Sequence, residues 1–445
     1  LKILIREGRV IDPAAGLDGT ADVLIENGAI VAVEPRIVAE DARIVDAAGL
    51  VVTPGLVDMH VHFREPGFEY KEDIESGSRA AAAGGITTVA CMPNTDPVLD
   101  NEALVSRVVR RGQEVGLCRV HPIAAITKGT QGAELTEMML LRDAGAVGFS
   151  DDGRPVESSR VMRRALEYSR LTGQPVISHC EDTALSAGGH MHEGAVSTRL
   201  GIEGIPSASE DVAVARDVRL AEIAGGRLHV CHVSSARSVE IIRRAKDRGV
   251  RVTAEATPHH LALTDEAVEG FDANTKMNPP LRAESDRRAL IGGLADGTID
   301  AVATDHAPHA PLEKLLEFDR APFGIIGLET SLALVLTVLV KEGHLSLADA
   351  VERMTLAPAR ILGLEAGTLR PGAPADVAVI DPALEWTFAP GDVFSKSSNS
   401  PFLGRALTGR VLLTLLGGRA VHERPEVRER IAGGRPSRNL EASRA

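Results

Sequence analysis

The sequence predicts an α/β protein: a (β/α)8 TIM barrel carrying a small composite β-sandwich domain formed by both termini. Three observations carry this expectation. First, eight short apolar runs recur through the middle of the chain with helix-patterned stretches between them, and eight alternating strand–helix units imply a closed parallel barrel. Second, neither end holds a helix-sized periodic segment; both read as short strands and hairpins. Third, histidines and aspartates gather where the apolar runs end, on the rim where barrels of this kind place their sites.

Taken in order, the opening LKILIREGRVID alternates like a strand. Asp22–Val33 reads as strand, Asn27-Gly28 turn, strand. The barrel runs are Leu56–His60, Thr87–Cys91, Val120–Ala124, Ala146–Phe149, Pro175–His179, Leu228–His232, Val250–Ala254 and Asp300–Thr304. Ser158–Thr172 and Ser235–Arg248 read as intervening helices, and Ser331–Val340 as a buried one. Ala375–Asp381 is a further strand, and Val411–Leu416, Gly417-Gly418, Arg419–Val421 a second hairpin. The expected organisation is 1–52 plus 365–425 as the composite β domain, 53–364 as the barrel, and 426–445, rich in Arg, Glu, Gly and Ser, as a poorly ordered tail.

Composition excludes several functions. The 445 residues include 49 Lys+Arg against 62 Asp+Glu, a net charge of −13. With no basic run, the chain is a poor binder of nucleic acid, whose phosphates need clustered cations. Aromatics at 3% argue against a stacking platform. No window approaches the ~20 apolar residues of a membrane span. Four cysteines without a CxxC pair fit a reducing, cytoplasmic setting. Fourteen histidines in an acidic chain raise the question of a metal.

The strand ends answer it. The first run leads into Asp58-Met59-His60-Val61-His62, where alternation puts both imidazoles on one face. The fourth leads into Asp151-Asp152, the fifth into His179, the sixth into His232 and the eighth into Asp305-His306. Singly, each has an ordinary structural explanation: an HxH or a lone buried His can fill a core, and a DDG is most often a turn. Together they converge on one rim. Four His with at least two Asp exceed one tetrahedral zinc and suit two metals sharing a carboxylate. Spacing leaves Asp151 and Asp152 open as that bridge. His259 and His260 follow a strand too, and either line the site or fill structure. His121, His190, His192, His229, His344 and His422 fit no constellation. Alternation turns Cys180 and Cys231 away from the site as packing thiols.

At this point the motifs resemble a known family. VDMHVHFREPG (57–67), MPNTDP (92–97), DDG (151–153), ATPHHL (256–261), KMNPPLR (276–282), ATDHAPH (303–309) and FGIIGLET (323–330) resemble dihydroorotases of the long, class I type, within the amidohydrolase superfamily. HxH marks only the superfamily; HFREPG with MPNT and DHAPH is more specific. The resemblance implies two zinc ions per subunit, one held by His60, His62 and Asp305, the other by His179 and His232, with Asp152 bridging. It implies Asp305 as the catalytic acid–base group. His62, Arg64, Asn94, Asn278, His309, Phe323 and Gly324 would bind the substrate, with Arg64 offering a planar fork to its carboxylate. The implied reaction is the reversible interconversion of N-carbamoyl-L-aspartate and (S)-dihydroorotate in de novo pyrimidine (UMP) biosynthesis. A homodimer, and a complex with aspartate carbamoyltransferase, are further implications. The segment 309–322 is a candidate lid.

Two other readings compete. Hydantoinases and allantoinases generally bridge their metals with a carbamylated lysine, whereas no Lys lies between Lys128 and Lys246. A non-catalytic scaffold for aspartate carbamoyltransferase would have lost metal ligands, whereas every expected ligand position is filled.

Overall fold

A computed structural model describes residues 2–427. The expected tail, apart from Glu426 and Val427, lies outside the described residues. Parallel strands Leu56–Val61, Ile86–Cys91 and Arg119–Pro122 pair in sequence order. Val176–Ser178, Leu228–Val230, Val252–Ala256 and Ala301–Val302 form a second parallel set. Phe149 joins the two sets by bridging Ala124 and Val176, so the run Ala146–Phe149 takes the fourth position with pairing confined to one residue. The ring closes where Val61 pairs with His306 and the His62 amide donates to the His306 carbonyl at 2.9 Å. All eight expected strand positions are therefore present.

The helices form the outer layer for recognisable local reasons. Ser158 caps Ser159–Thr172 by accepting from the Val161 amide, and Ser235 caps Ala236–Asp247 through the Arg237 amide. Asn101 does the same for Glu102–Val115. The apolar stretch after Thr330 is a helix over Ser331–Val335 that widens to π geometry at Leu336–Val340. Its residues are mostly buried against the main core. Among the described residues no helix is long and apolar enough to cross a membrane.

Both chain ends enter one further sheet. Its strands run Arg419–Glu423, Ala406–Leu416, Val377–Thr387, Val51–Pro54, Lys2–Asp12, Leu17–Glu26 and Ala29–Glu34, with Arg43–Asp46 also against Lys2–Asp12. The seam between the ends is antiparallel, Val52 opposite Val379. Ile5, Val10, Val23, Val52 and Val377 make its core. Asn27 and Gly28 sit at φ 52° and 84°, the left-handed pair of a tight hairpin turn. Gly55 alone separates this sheet from the first barrel strand. A Cβ there would lie 2.1 Å from Thr87 Oγ1, so the crossover needs glycine.

Candidate metal and substrate site

The rim gathers the residues the strand ends offered. His60 and His62 come from the first strand end, with ring centroids 5.4 Å apart. Asp305 follows the eighth strand, its Oδ1 at 3.0 Å from His62 Nε2 and 3.5 Å from His60 Nε2. His179 and His232 follow the fifth and sixth strands, His179 Nδ1 and His232 Nε2 being 2.9 Å apart. Asp152 lies between the two groups: Oδ1 is 3.6 Å from His60 Nε2, 3.9 Å from His179 Nδ1 and 4.0 Å from His232 Nε2, and Oδ2 is 3.6 Å from His62 Nε2. The donor atoms of His60, His62 and Asp305 lie within 4.8 Å of one another, as do those of Asp152, His179 and His232.

Asp151 turns away. Its carboxylate accepts the Ile126 and Thr127 amides and the Thr127 hydroxyl, which makes it a structural anchor. Past the end of a strand, alternation no longer tells two successive aspartates apart; these hydrogen bonds do.

The donor set fits metal on an internal criterion. His60 Nε2 and Asp152 Oδ1 are buried with no hydrogen-bond partner, a costly arrangement unless a cation takes their lone pairs. The opposite ring nitrogens are committed elsewhere. His60 Nδ1 donates to Glu255 Oε1 at 2.7 Å, His62 Nδ1 to Asn94 Oδ1 at 2.9 Å, and His179 Nε2 to Glu181 Oε2 at 2.9 Å. Each partner fixes the tautomer that turns a lone pair into the site. Arg64, His232 and Asp305 hold left-handed backbones at φ 61°, 29° and 49°, local strain of the kind that gathers at functional sites.

Electrostatics agree. Burial opposes ionisation of Asp152 and Asp305, but the surrounding imidazoles outweigh it and hold both carboxyls below their ordinary range. Burial pushes His232 down to about 3, with His179 adding to the effect, so it is neutral as a ligand must be. Burial also opposes charge on His60, yet Asp305, Cys231 and Glu255 raise it, as expected where protons stand in for a cation.

A cavity of about 360 Å³ opens onto these groups, lined also by Arg64, Asn94, Asn278, His309, Phe323 and Gly324. Among the described residues Arg64 makes no ion pair; its Nε donates to the Pro308 carbonyl at 3.3 Å. Neighbouring acids are otherwise engaged, Glu65 by Arg111 and the Ile74 amide, Glu69 by the Gly67 amide. Asn94 also donates to Asp152 Oδ2 at 3.3 Å, and Asn278 to Glu181 Oε2 at 3.1 Å. His309 is pushed down to about 2 by burial and by Arg64, Lys71 and Lys314. Its Nε2 donates to the Phe323 carbonyl at 2.8 Å. Gly324 has φ 122°, and a Cβ there would come within 2.7 Å of Ala307. The segment 309–322 folds against the mouth with a short helix, Pro311–Lys314; Lys314 Nζ donates to the Ala273 carbonyl at 2.9 Å and the Pro322 carbonyl at 2.8 Å.

One alternative left open falls to the structural reading, and two expectations need correction. Neither His259 nor His260 lines this cavity; His260 bonds Thr257 and the Pro279 carbonyl, and His259 packs on it. Cys180 does face the helices, near Asp217. Cys231 does not turn away: its sulfur lies within 4.8 Å of donor atoms of His60 and His232. The left-handed φ of His232 breaks the alternation on which the contrary expectation rested. His229, assigned to no constellation, donates from Nε2 to Glu255 Oε2 at 3.1 Å and so belongs to the support behind His60. Glu255 was missed outright. A charged residue inside an apolar strand is the signal that could have found it. Glu255→Gln is expected to weaken metal binding by about 10–100-fold, read by titrating metal into apoprotein; unchanged affinity would remove Glu255 from that role.

A parallel barrel with four imidazoles and two carboxylates converging at its rim defines a metal-dependent hydrolase of the amidohydrolase type. The solved structure of L-hydantoinase (dihydropyrimidinase) from Arthrobacter aurescens superposes with a TM-score of 0.85 at 28% identity, covering 95% of this chain and 96% of that one. A family profile described as "Dihydro-orotase-like" matches residues 49–238. A protein named dihydroorotase from Geobacter sp. (strain M21) is 55% identical over 424 residues, spanning 95% of this chain and 100% of that protein. Another from Syntrophus aciditrophicus (strain SB) is 53% identical over 425 residues, with the same coverage. The chain belongs to the dihydroorotase family and is a cyclic amide hydrolase.

Proposed function

We propose that this chain interconverts (S)-dihydroorotate and N-carbamoyl-L-aspartate in pyrimidine biosynthesis, using two zinc ions per subunit. The observation that carries the reading is the unpaired Arg64 in the same cavity as two sets of metal donors, in a chain 55% identical to a dihydroorotase over nearly its whole length. His60, His62 and Asp305 would hold one ion and His179 and His232 the other, with Asp152 shared. Bound there, the ions supply Lewis acidity toward the ring carbonyl and lower the pKa of water at the site.

The chain's own groups do the rest. Arg64 offers a bidentate fork to the substrate carboxylate, the one charged group of dihydroorotate, whose ring amides are neutral. Asn94, Asn278, His309 and the Phe323–Gly324 backbone bound the remainder of the ring. Asp305 faces both metal donors and substrate; its carboxylate takes the proton of the attacking water and passes it to the departing ring nitrogen. In reverse, Asp305 removes the ureido proton as the ring closes. Closure consumes a carboxylate and a proton, so acid favours the ring.

Two features oppose a hydantoinase or allantoinase. No lysine lies between Lys128 and Lys246 to carry a carbamate, and Arg64 suits a substrate bearing a free carboxylate. A non-catalytic scaffold is opposed by the complete donor set. Homodimerisation, association with aspartate carbamoyltransferase and a cytoplasmic setting belong to the same proposal. Side-by-side steady-state assays with dihydroorotate, hydantoin and allantoin test it. Turnover of dihydroorotate is expected to dominate; preference for either other ring would overturn the substrate, and inert protein free of metal even after supplementation would favour the scaffold.

A further inference from the structure

The stretch from Phe394 to Ser400 follows the strand Val377–Thr387 of the terminal sheet, yet it is fastened to the barrel rim. Glu329 accepts the Phe394 amide at 2.9 Å and the Ser395 amide at 3.0 Å. Glu72, fully buried, accepts the Lys396 amide at 3.1 Å and the Ser395 hydroxyl. So anchored, the stretch carries a buried Asn399 against the two loops that wall the substrate cavity.

The Asn399 side chain uses its hydrogen-bonding capacity across both loops. Nδ2 donates to the Ala307 carbonyl at 3.2 Å and to the Gly324 carbonyl at 3.1 Å, and Oδ1 accepts the His309 amide at 3.1 Å. Its own carbonyl accepts the Ile326 amide at 3.0 Å. The orientation of the amide is dictated by chemistry: the two carbonyls only accept, and the His309 amide only donates. Ala307 and His309 lie just past Asp305, and Gly324 is the residue whose φ and close approach to Ala307 exclude a side chain. The amide therefore adds three bonds at the seam between the DHAPH loop and the FGIIG loop, which also meet directly where the Ala307 amide donates to the Ile325 carbonyl at 2.7 Å and His309 Nε2 to the Phe323 carbonyl at 2.8 Å.

We propose that Asn399 is a positioning residue for substrate recognition: it holds His309 and the Phe323–Gly324 backbone at the spacing that an anionic, carboxylate-bearing cyclic amide requires. This rests on the dihydroorotase reading. Asn399 touches no metal donor and no reacting atom. Its loss should weaken ground-state and transition-state binding alike, and so raise KM while leaving kcat nearly intact.

Two variants test this in the metal-loaded, full-length enzyme. Asn399→Asp keeps the shape and the acceptor for His309 but turns an oxygen toward two carbonyls. Asn399→Ala removes all three side-chain bonds without that repulsion. The expected result is a KM for dihydroorotate raised by at least about tenfold in Asn399→Asp, less in Asn399→Ala, with kcat changed by less than about threefold. Metal content should match wild type, and amide exchange should rise in residues 307–309 and 323–326. A side chain that only fills space predicts the opposite order, with the isosteric Asp near wild type and Ala worse. That order, an unchanged KM in Asn399→Asp, or failure of both variants to fold would overturn the proposal. Wild-type protein inert toward dihydroorotate would overturn the parent reading instead, and the exchange measurement would still decide whether Asn399 holds the two loops.

Discussion

Asp305→Asn is expected to abolish ring opening, lowering kcat by at least about 10³-fold, the range a positioned acid–base group supplies, while metal is retained at least in part. The amide keeps the size of the side chain and one oxygen that can still face His62 Nε2, 3.0 Å away in the native site. It cannot accept a proton from water or return one to the leaving nitrogen. The native carboxyl is held ionised because His60 and His62 outweigh the burial that opposes its charge, and an amide has no such state. Turnover and elemental analysis on the same preparation separate chemistry from ligation. Near-normal turnover would remove Asp305 from acid–base chemistry, and complete loss of metal would make it a ligand before anything else.

Asp152→Ala should be more damaging to the centre itself. Asp152 alone among the carboxylates approaches all four imidazoles, at 3.6 to 4.0 Å. Without it, His179 Nδ1 and His232 Nε2 remain 2.9 Å apart with no anion between the two triads. Metal content is expected to fall by about half or more. Turnover should drop by at least about 10³-fold, because several kcal/mol of charge stabilisation are lost at 1.36 kcal/mol per tenfold. Asp151→Ala supplies the contrast. That carboxylate accepts two amides and a hydroxyl from Ile126 and Thr127, so its loss should cost about 1–3 kcal/mol of stability and leave the metal count unchanged. If Asp151→Ala empties the site and Asp152→Ala does not, the bridging assignment is reversed.

The parts legible in the sequence were those governed by local periodicity. The helix-patterned stretches were read as starting at Ser158 and Ser235, and these residues prove to be the N-caps of helices that begin one residue later. The HxH pair could be read because two residues on one strand share a face. Legibility failed where the backbone left that regularity or where partners were remote in sequence. Asp151 and Asp152 are distinguished by amides at positions 126 and 127, Cys231 by the unusual φ of His232, and Glu255 by an imidazole 195 residues away. Asn399 is the extreme case: a polar residue in a serine-rich loop, whose role exists only once the terminal segment is laid across the barrel rim.

The closure of the barrel has a consequence for how the centre and the fold depend on each other. The first and last strands meet where Val61 and the His62 amide reach His306 and the Thr304 amide reaches Asp58 Oδ1 at 3.1 Å, and His60, His62 and Asp305 straddle that same junction. An ion held by these three would act as a cross-link between chain segments 243 residues apart, pinning a loop whose closure the unfolded chain would have to concede in entropy. Metal affinity and the integrity of the ring would then be linked by mass action: opening the junction would release the ion, and a bound ion would hold the junction shut.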